Sequence, residues 1–214
     1  MRVVLPRLYV ILDATLLKNS PLHRAEELAA AGVRLMQYRA KSATPRELLQ
    51  ISRELVSSLS AHEVSVIVND RPDIAVLTGA AGVHVGQDDL DPEQARSFVG
   101  GEKWVGVSTH NLEQFRRAAA TSADYVAVGP IFATNSKANP DPVVGVQLLR
   151  QVRALTGKPI VAIGGITLER AASVIEAGAD CVAVIRDLLC AAHPGEQARR
   201  YIETLGAANH AATV

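Results

Sequence analysis

The chain has 214 residues, with 22 Lys plus Arg balanced by 22 Asp plus Glu, so its formal net charge is zero. Such a balance gives no general attraction to nucleic acid or acidic membranes, and any anion binding must come from a local cluster. Hydrophobic residues make up 48% and aromatics only 4%, which fits aliphatic strands covered by helices in one domain spanning 1–214.

Two cysteines, Cys181 and Cys190, form neither a disulfide framework nor a metal-ligand spacing. The opening residues do not read as a signal peptide, and no apolar run approaches the roughly 20 residues needed to cross a bilayer. The expectation is a cytoplasmic protein with no membrane partner.

In chain order, strand patterns and helix patterns alternate. Strands are expected at Leu8–Leu12, Val33–Arg39, Val64–Asn69, Gly82–Gly86, Trp104–Ser108, Asp124–Gly129, Pro159–Ile163 and Cys181–Ile185. Helices are expected at Leu22–Ala31, Pro45–Ala61, Pro72–Thr78, Pro92–Phe98, Leu112–Thr121, Val146–Thr156, Leu168–Ala177 and around Gln197–Leu205. Thr44-Pro45-Arg46-Glu47 reads as a capped start, with proline at the first helical position and glutamate three after the cap. Asp91 and Thr167 have related capping chemistry, and Gly32, Gly157 and Gly178 read as helix stops.

Eight strand–helix repeats suggest an α/β fold, a single-domain (β/α)8 TIM barrel. The alternative is a doubly wound open sheet, but no Gly-x-Gly-x-x-Gly follows the first strand. In a barrel, chemistry sits at the C-terminal strand ends. The unusual polar residues fall there. Strand two ends in Gln37, Arg39 and Lys41, strand three in Asn69-Asp70, strand four in Gly86-Gln87-Asp88-Asp89, and strand five in Ser108-Thr109-His110. Strand six leads through Gly129-Pro130 into a long segment running to Pro142, and strand seven ends in Gly164-Gly165.

Gln37, Arg39 and Lys41 share one parity with Val33 and Leu35, so an extended chain would point all five the same way. An amide and two cations at the end of a buried strand are costly to desolvate unless an anion meets them. Asp70 and Asp89 could each cap the helix that follows, or together share a hard divalent cation. His84 reads as packing rather than metal binding, and His110 as a loop residue or helix cap. Gly164-Gly165 could be a plain turn or a backbone cradle for phosphate. Thr134-Asn135-Ser136-Lys137 could be an ordinary exposed loop, although its length favours a binding loop or lid. There is no Ser-His-Asp spacing for acyl transfer and no activated thiolate. Two anionic substrates, one carrying a magnesium-bound pyrophosphate, would use every part.

Gln-x-Arg-x-Lys, Asn-Asp, Gly-Gln-x-Asp, Gly-Val-Ser, Gly-Pro-Ile-Phe-x-Thr-x-Ser-Lys and Ile-Gly-Gly-Ile stand here in the order and spacing of the thiamine-phosphate synthase family, which the chain resembles from about Leu8 to Ile185. The resemblance implies a transferase of thiamine biosynthesis. It would join a 4-amino-2-methylpyrimidine carrying a diphosphooxymethyl group to a thiazole phosphate, the carboxylated thiazole included, and release pyrophosphate. Gln37, Arg39, Lys41, Asn69, Ser108 and Lys137 would then hold the pyrimidine pyrophosphate, with Arg39, Lys41 and Lys137 acting in catalysis. Asp70 and Asp89 would hold one Mg2+ per subunit. Thr134, Asn135, Ser136, Gly165, Ile185 and Arg186 would hold the thiazole phosphate. The partners implied are two phosphorylated small molecules; the oligomeric state is left open.

The chain departs from the family at Arg186, where serine is common, and at Ser136, where threonine is frequent. A related thiazole tautomerase shares the barrel but carries a histidine where Pro130 stands here. A non-catalytic regulator that binds thiamine phosphate is the other alternative.

Overall fold

Strands β1 (Leu8–Asp13), β2 (Leu35–Arg39), β3 (Ser65–Asn69), β4 (Gly82–Val85), β5 (Trp104–Thr109), β6 (Tyr125–Val128), β7 (Ile160–Ile163) and β8 (Cys181–Val184) pair in chain order. Every pairing is parallel, and β8 returns to pair with β1. Closure removes both sheet edges and rules out the open doubly wound alternative. The computed structural model describes residues 3–17, 20–135 and 141–207.

The helices are α1 (Pro21–Ala30), α2 (Pro45–Leu59), α3 (Pro72–Thr78), α4 (Pro92–Val99), α5 (Leu112–Ala119), α6 (Gly145–Arg153), α7 (Leu168–Glu176), α8 (Arg186–Leu189) and α9 (Pro194–Ala207). In α2, Leu48, Ser52, Leu55 and Leu59 are buried, a spacing that puts them on one stripe against the barrel. The expected cap is present: Thr44 accepts from the Glu47 N–H while the Glu47 carboxylate accepts from the Thr44 N–H. Asp91 and Gln94 make the same reciprocal pair ahead of α4. Thr167 occupies the cap position of α7 but makes no side-chain capping bond.

Gly32 and Gly178 follow their helices at φ 102 and 110, a region that favours glycine. Gly157 does not act as a stop, since α6 has already ended at Arg153. The short α8 was not expected, because a four-residue helix is too brief to leave a periodic signature.

Two apolar layers follow from strand alternation. Val10, Met36, Tyr38, Val66, Val68, Val83 and Val105 face outward and pack under the helices. Tyr9, Ile11, Leu35, Ile67, Tyr125, Ala127, Val161, Cys181 and Ala183 fill the barrel interior. Leu35 therefore points inward, and Gln37 and Arg39 share its parity along β2. Val33 does not belong to that line. It lies before β2, just after the turn at Gly32, and packs in the outer layer, because strand alternation begins only at Leu35. No described helix is long and apolar enough to cross a membrane.

Candidate active site

A cavity of about 1130 Å³ opens at the C-terminal ends of the strands. Gln37, Arg39, Lys41, Asn69, Asp70, Asp89, Ser108, Thr134, Asn135, Gly165, Ile185 and Arg186 all line it. The remaining two site residues expected from the sequence, Ser136 and Lys137, lie outside the described residues.

The anions that meet the cationic row come first from the chain itself. Asp13, at the end of β1, stands opposite Arg39 in the β1–β2 register. Its Oδ2 lies 2.5 Å from Arg39 Nη1, while its Oδ1 accepts from the Thr15 N–H at 3.0 Å and the Thr15 hydroxyl at 2.6 Å. Lys41 reaches out past the strand end and pairs with Asp70 at 2.9 Å. The guanidinium is thus held at the rim by a carboxylate that is 1% exposed, so it does not have to be ordered when an anion arrives. Sequence reasoning missed Asp13 by ending the first strand one residue early. The signal was available, since a carboxylate two residues after Ile11 shares that residue's inward parity.

Neither Asp70 nor Asp89 is a helix cap. Arg71 takes the cap position of α3 without a side-chain bond, and Asp91 caps α4. Asp70 has a left-handed backbone, φ 62, held by its N–H to the His84 carbonyl at 2.8 Å. A non-glycine residue in that region stores strain, and such strain gathers at functional sites. Asp89 accepts from the Gly86 N–H at 2.8 Å. Burial raises the pKa of Asp89, and a hydrogen bond with Asp70 together with that residue's charge raises it further. The two carboxyl groups therefore meet, with Lys41 partly offsetting their repulsion. No cluster of three or more His, Cys, Asp or Glu suited to a metal occurs among the described residues.

On the opposite side, the loop after β6 is fastened to the end of β7. Ile131 and Phe132 donate to the carbonyls of Ile163 and Gly164, each at 2.9 Å. Gly165 has φ 61, and a Cβ there would sit 2.4 Å from the Ala133 carbonyl oxygen, so only glycine fits. Arg170 lies 4.6 Å over the Phe132 ring and donates to the Gly165 carbonyl at 3.2 Å. Together these contacts set the shape of the glycine turn that carries Gly165 into the cavity. His110 also lines the cavity but caps nothing; Asn111 caps α5, while His110 Nδ1 lies 2.6 Å from the Gly129 carbonyl oxygen. His84 packs, as expected, stacked on Tyr125 at 5.6 Å.

A cationic rim, a neighbouring carboxylate pair and a separate glycine turn thus share one cavity. Residues 8–188 match the family model described as thiamine monophosphate synthase. The chain belongs to that family. A thiamine-phosphate synthase from Koribacter versatilis is 54% identical over 206 residues, covering 94% of this chain and 96% of the relative. One from Chloroflexus aurantiacus is 43% identical, covering 86% of each chain. Among solved structures, thiamine phosphate pyrophosphorylase from Pyrococcus furiosus superposes with a TM-score of 0.86 at 29% identity, over 94% of this chain and 96% of that one. A 3-hexulose-6-phosphate synthase at 20% identity and TM-score 0.69 shares the barrel fold alone.

Proposed function

We propose that this chain catalyses the reaction for which its family is named. The diphosphate of 4-amino-2-methyl-5-(diphosphooxymethyl)pyrimidine leaves, and the ring nitrogen of the thiazole phosphate takes its place. The C–O bond to the leaving group breaks with its electron pair going to pyrophosphate. The thiazole nitrogen lone pair then forms the new C–N bond, giving thiamine phosphate. Such an enzyme is a transferase acting on two phosphorylated small molecules, and its zero net charge gives it no general attraction to nucleic acid.

One observation carries this reading: every described residue that the family resemblance assigned lines a single cavity at the C-terminal strand ends. Arg39, pre-aligned by Asp13, and Lys41 would draw the leaving diphosphate, whose charge grows in the transition state. Lys137 is proposed as a third such cation. Gln37, Asn69 and Ser108 would hold the pyrimidine half. Thr134, Asn135, Ser136, Gly165, Ile185 and Arg186 would take the thiazole phosphate. Both substrates over one barrel mouth supply the positional advantage of an intramolecular step.

Asp70 and Asp89 fit a magnesium ion. They are two carboxylates in mutual contact, one of them with a raised pKa, and magnesium binds through one or two carboxylates together with phosphate oxygens and water. When bound, the ion would supply charge neutralisation to the leaving diphosphate. The tautomerase alternative is disfavoured by Pro130, which lines the cavity with no titratable group. A cytoplasmic location suits substrates whose phosphates bar them from crossing a membrane unaided.

The test is an assay of pyrophosphate release with both substrates and magnesium, omitting each in turn. Release only when all three are present supports the reading. A protein that binds thiamine phosphate but releases no pyrophosphate would be a regulator instead.

A further inference from the structure

Four residues that line the cavity, Gln37, Tyr9, His84 and Ser108, are joined through Tyr125 into one hydrogen-bonded chain drawn from five different strands. Gln37 Nε2 donates to Tyr9 Oη at 2.7 Å, and Tyr9 Oη lies 3.2 Å from Tyr125 Oη. Tyr125 Oη lies 3.1 Å from His84 Nδ1, and His84 Nε2 lies 2.8 Å from Ser108 Oγ. Tyr9, Gln37, Tyr125 and His84 are 1, 2, 0 and 8% exposed, so water is largely kept from these links. The Tyr125 ring crosses the barrel because β5 has a glycine under it: a Cβ at Gly106 would lie 2.0 Å from Tyr125 Cζ. Burial raises the pKa of both phenols, so each keeps its single proton.

One proton per hydroxyl makes the links interdependent. With the Gln37 amide N–H donating to Tyr9, Tyr9 is left to donate to Tyr125, Tyr125 to His84 Nδ1, and His84 Nε2–H to Ser108. Gln37 and Ser108 both line the cavity, and this order leaves the Gln37 carbonyl oxygen as an acceptor and the Ser108 hydroxyl proton as a donor for a bound molecule. Turning the Gln37 amide over would require every proton along the chain to reverse. In a low-dielectric interior a half-reversed chain leaves a donor or acceptor unsatisfied, which is costly.

We propose that Tyr9, Tyr125 and His84 are positioning residues that lock the Gln37 amide with its carbonyl oxygen toward the substrate, and thereby set a preference for an amino over an oxo group on the pyrimidine. This rests on the synthase reading of the cavity. An exocyclic amino group donates to the locked carbonyl. An oxo group at the same ring position presents an acceptor to an acceptor, and a site built around such a bond discriminates strongly against the wrong partner.

The test compares wild type with Tyr9→Phe and Tyr125→Phe, both of which keep the ring and remove one link. Pyrophosphate release is measured with the 4-amino pyrimidine diphosphate and with its 4-oxo counterpart, and binding of inorganic pyrophosphate with magnesium is titrated separately. The expected result for either variant is a fall of about tenfold in the amino-to-oxo ratio of kcat/KM, the size of one hydrogen bond. Pyrophosphate affinity should stay within about twofold, because the diphosphate half lies on other residues. Loss of both substrates in equal proportion, with the ratio unchanged, overturns the inference while leaving the synthase reading intact. A wild-type protein that releases no pyrophosphate overturns both.

Discussion

Asp13 and Arg39 face each other across the β1–β2 ladder, and their side chains meet at 2.5 Å with the carboxylate almost fully buried. Breaking a buried pair from one side strands the other charge, which typically costs 3–5 kcal/mol. Arg39 keeps some exposure, so the lower end applies: Asp13→Ala should destabilise the protein by about 3 kcal/mol in urea unfolding. Turnover at saturating substrate should fall about a hundredfold, as for a misplaced cation at a reacting centre. Asp13→Asn retains an acceptor for Thr15 and should be milder in both. Unchanged stability in the alanine variant would show that Arg39 is held by something else.

The Asp70–Asp89 contact predicts opposite effects with and without magnesium. Because burial and Asp70 raise the Asp89 pKa, the folded chain binds that proton more tightly than the unfolded chain. The stability of the metal-free protein therefore falls as pH rises through the raised value. In chelator at neutral pH, Asp89→Asn should melt above wild type. Magnesium should then raise the melting point of wild type but not of the variant, and turnover of Asp70→Ala or Asp89→Ala should drop by orders of magnitude, since metal stabilisation of a leaving group is worth several kcal/mol. Near wild-type turnover in the double alanine variant with chelator present would remove the metal from this site.

Much of this site was legible before the fold was known, for a simple reason. Strand alternation fixes direction, so Gln37 and Arg39 could be aimed inward from Leu35 once that residue was inside. Motif order then put Asn69, Asp70, Asp89 and Ser108 at neighbouring strand ends. What stayed hidden depends on contacts between strands distant in the chain. Tyr9 and Tyr125 are 116 residues apart, and nothing local marks either as more than a core aromatic. The pairing of Lys41 with Asp70 is likewise a matter of packing distance, not spacing. Arg39 and Lys41 call for an anion, and Asp13 and Asp70 meet part of that demand from within the chain.

Gly165→Ala probes the cradle without touching a charge. Its φ of 61 adds roughly 1–2 kcal/mol of strain for any residue with a Cβ. The new methyl must also push away the Ala133 carbonyl and Phe132. Displacing the turn by a fraction of an ångström should raise the KM for thiazole phosphate roughly ten- to a hundredfold. Affinity for inorganic pyrophosphate should not move. A variant that weakens both equally would mean that the two halves of the cavity are mechanically one.

Arg186 stands where serine is common in the family, and it begins α8 as an exposed residue lining the cavity. An exposed cation contributes little to binding when water competes for it, on the order of 1 kcal/mol or less. Arg186→Ala should accordingly raise the KM for thiazole phosphate by less than about tenfold, with kcat unchanged. Arg186→Ser should match alanine or improve on it, because a hydroxyl at the same place can donate to phosphate. Salt adds a second check: the wild-type advantage over alanine should shrink between low and high ionic strength, since exposed charges are screened. Steady-state kinetics at two salt concentrations decides the matter. A rise in KM of a hundredfold or more that persists at high salt would make the guanidinium itself the main phosphate ligand in this chain, and the serine variant would then be equally impaired.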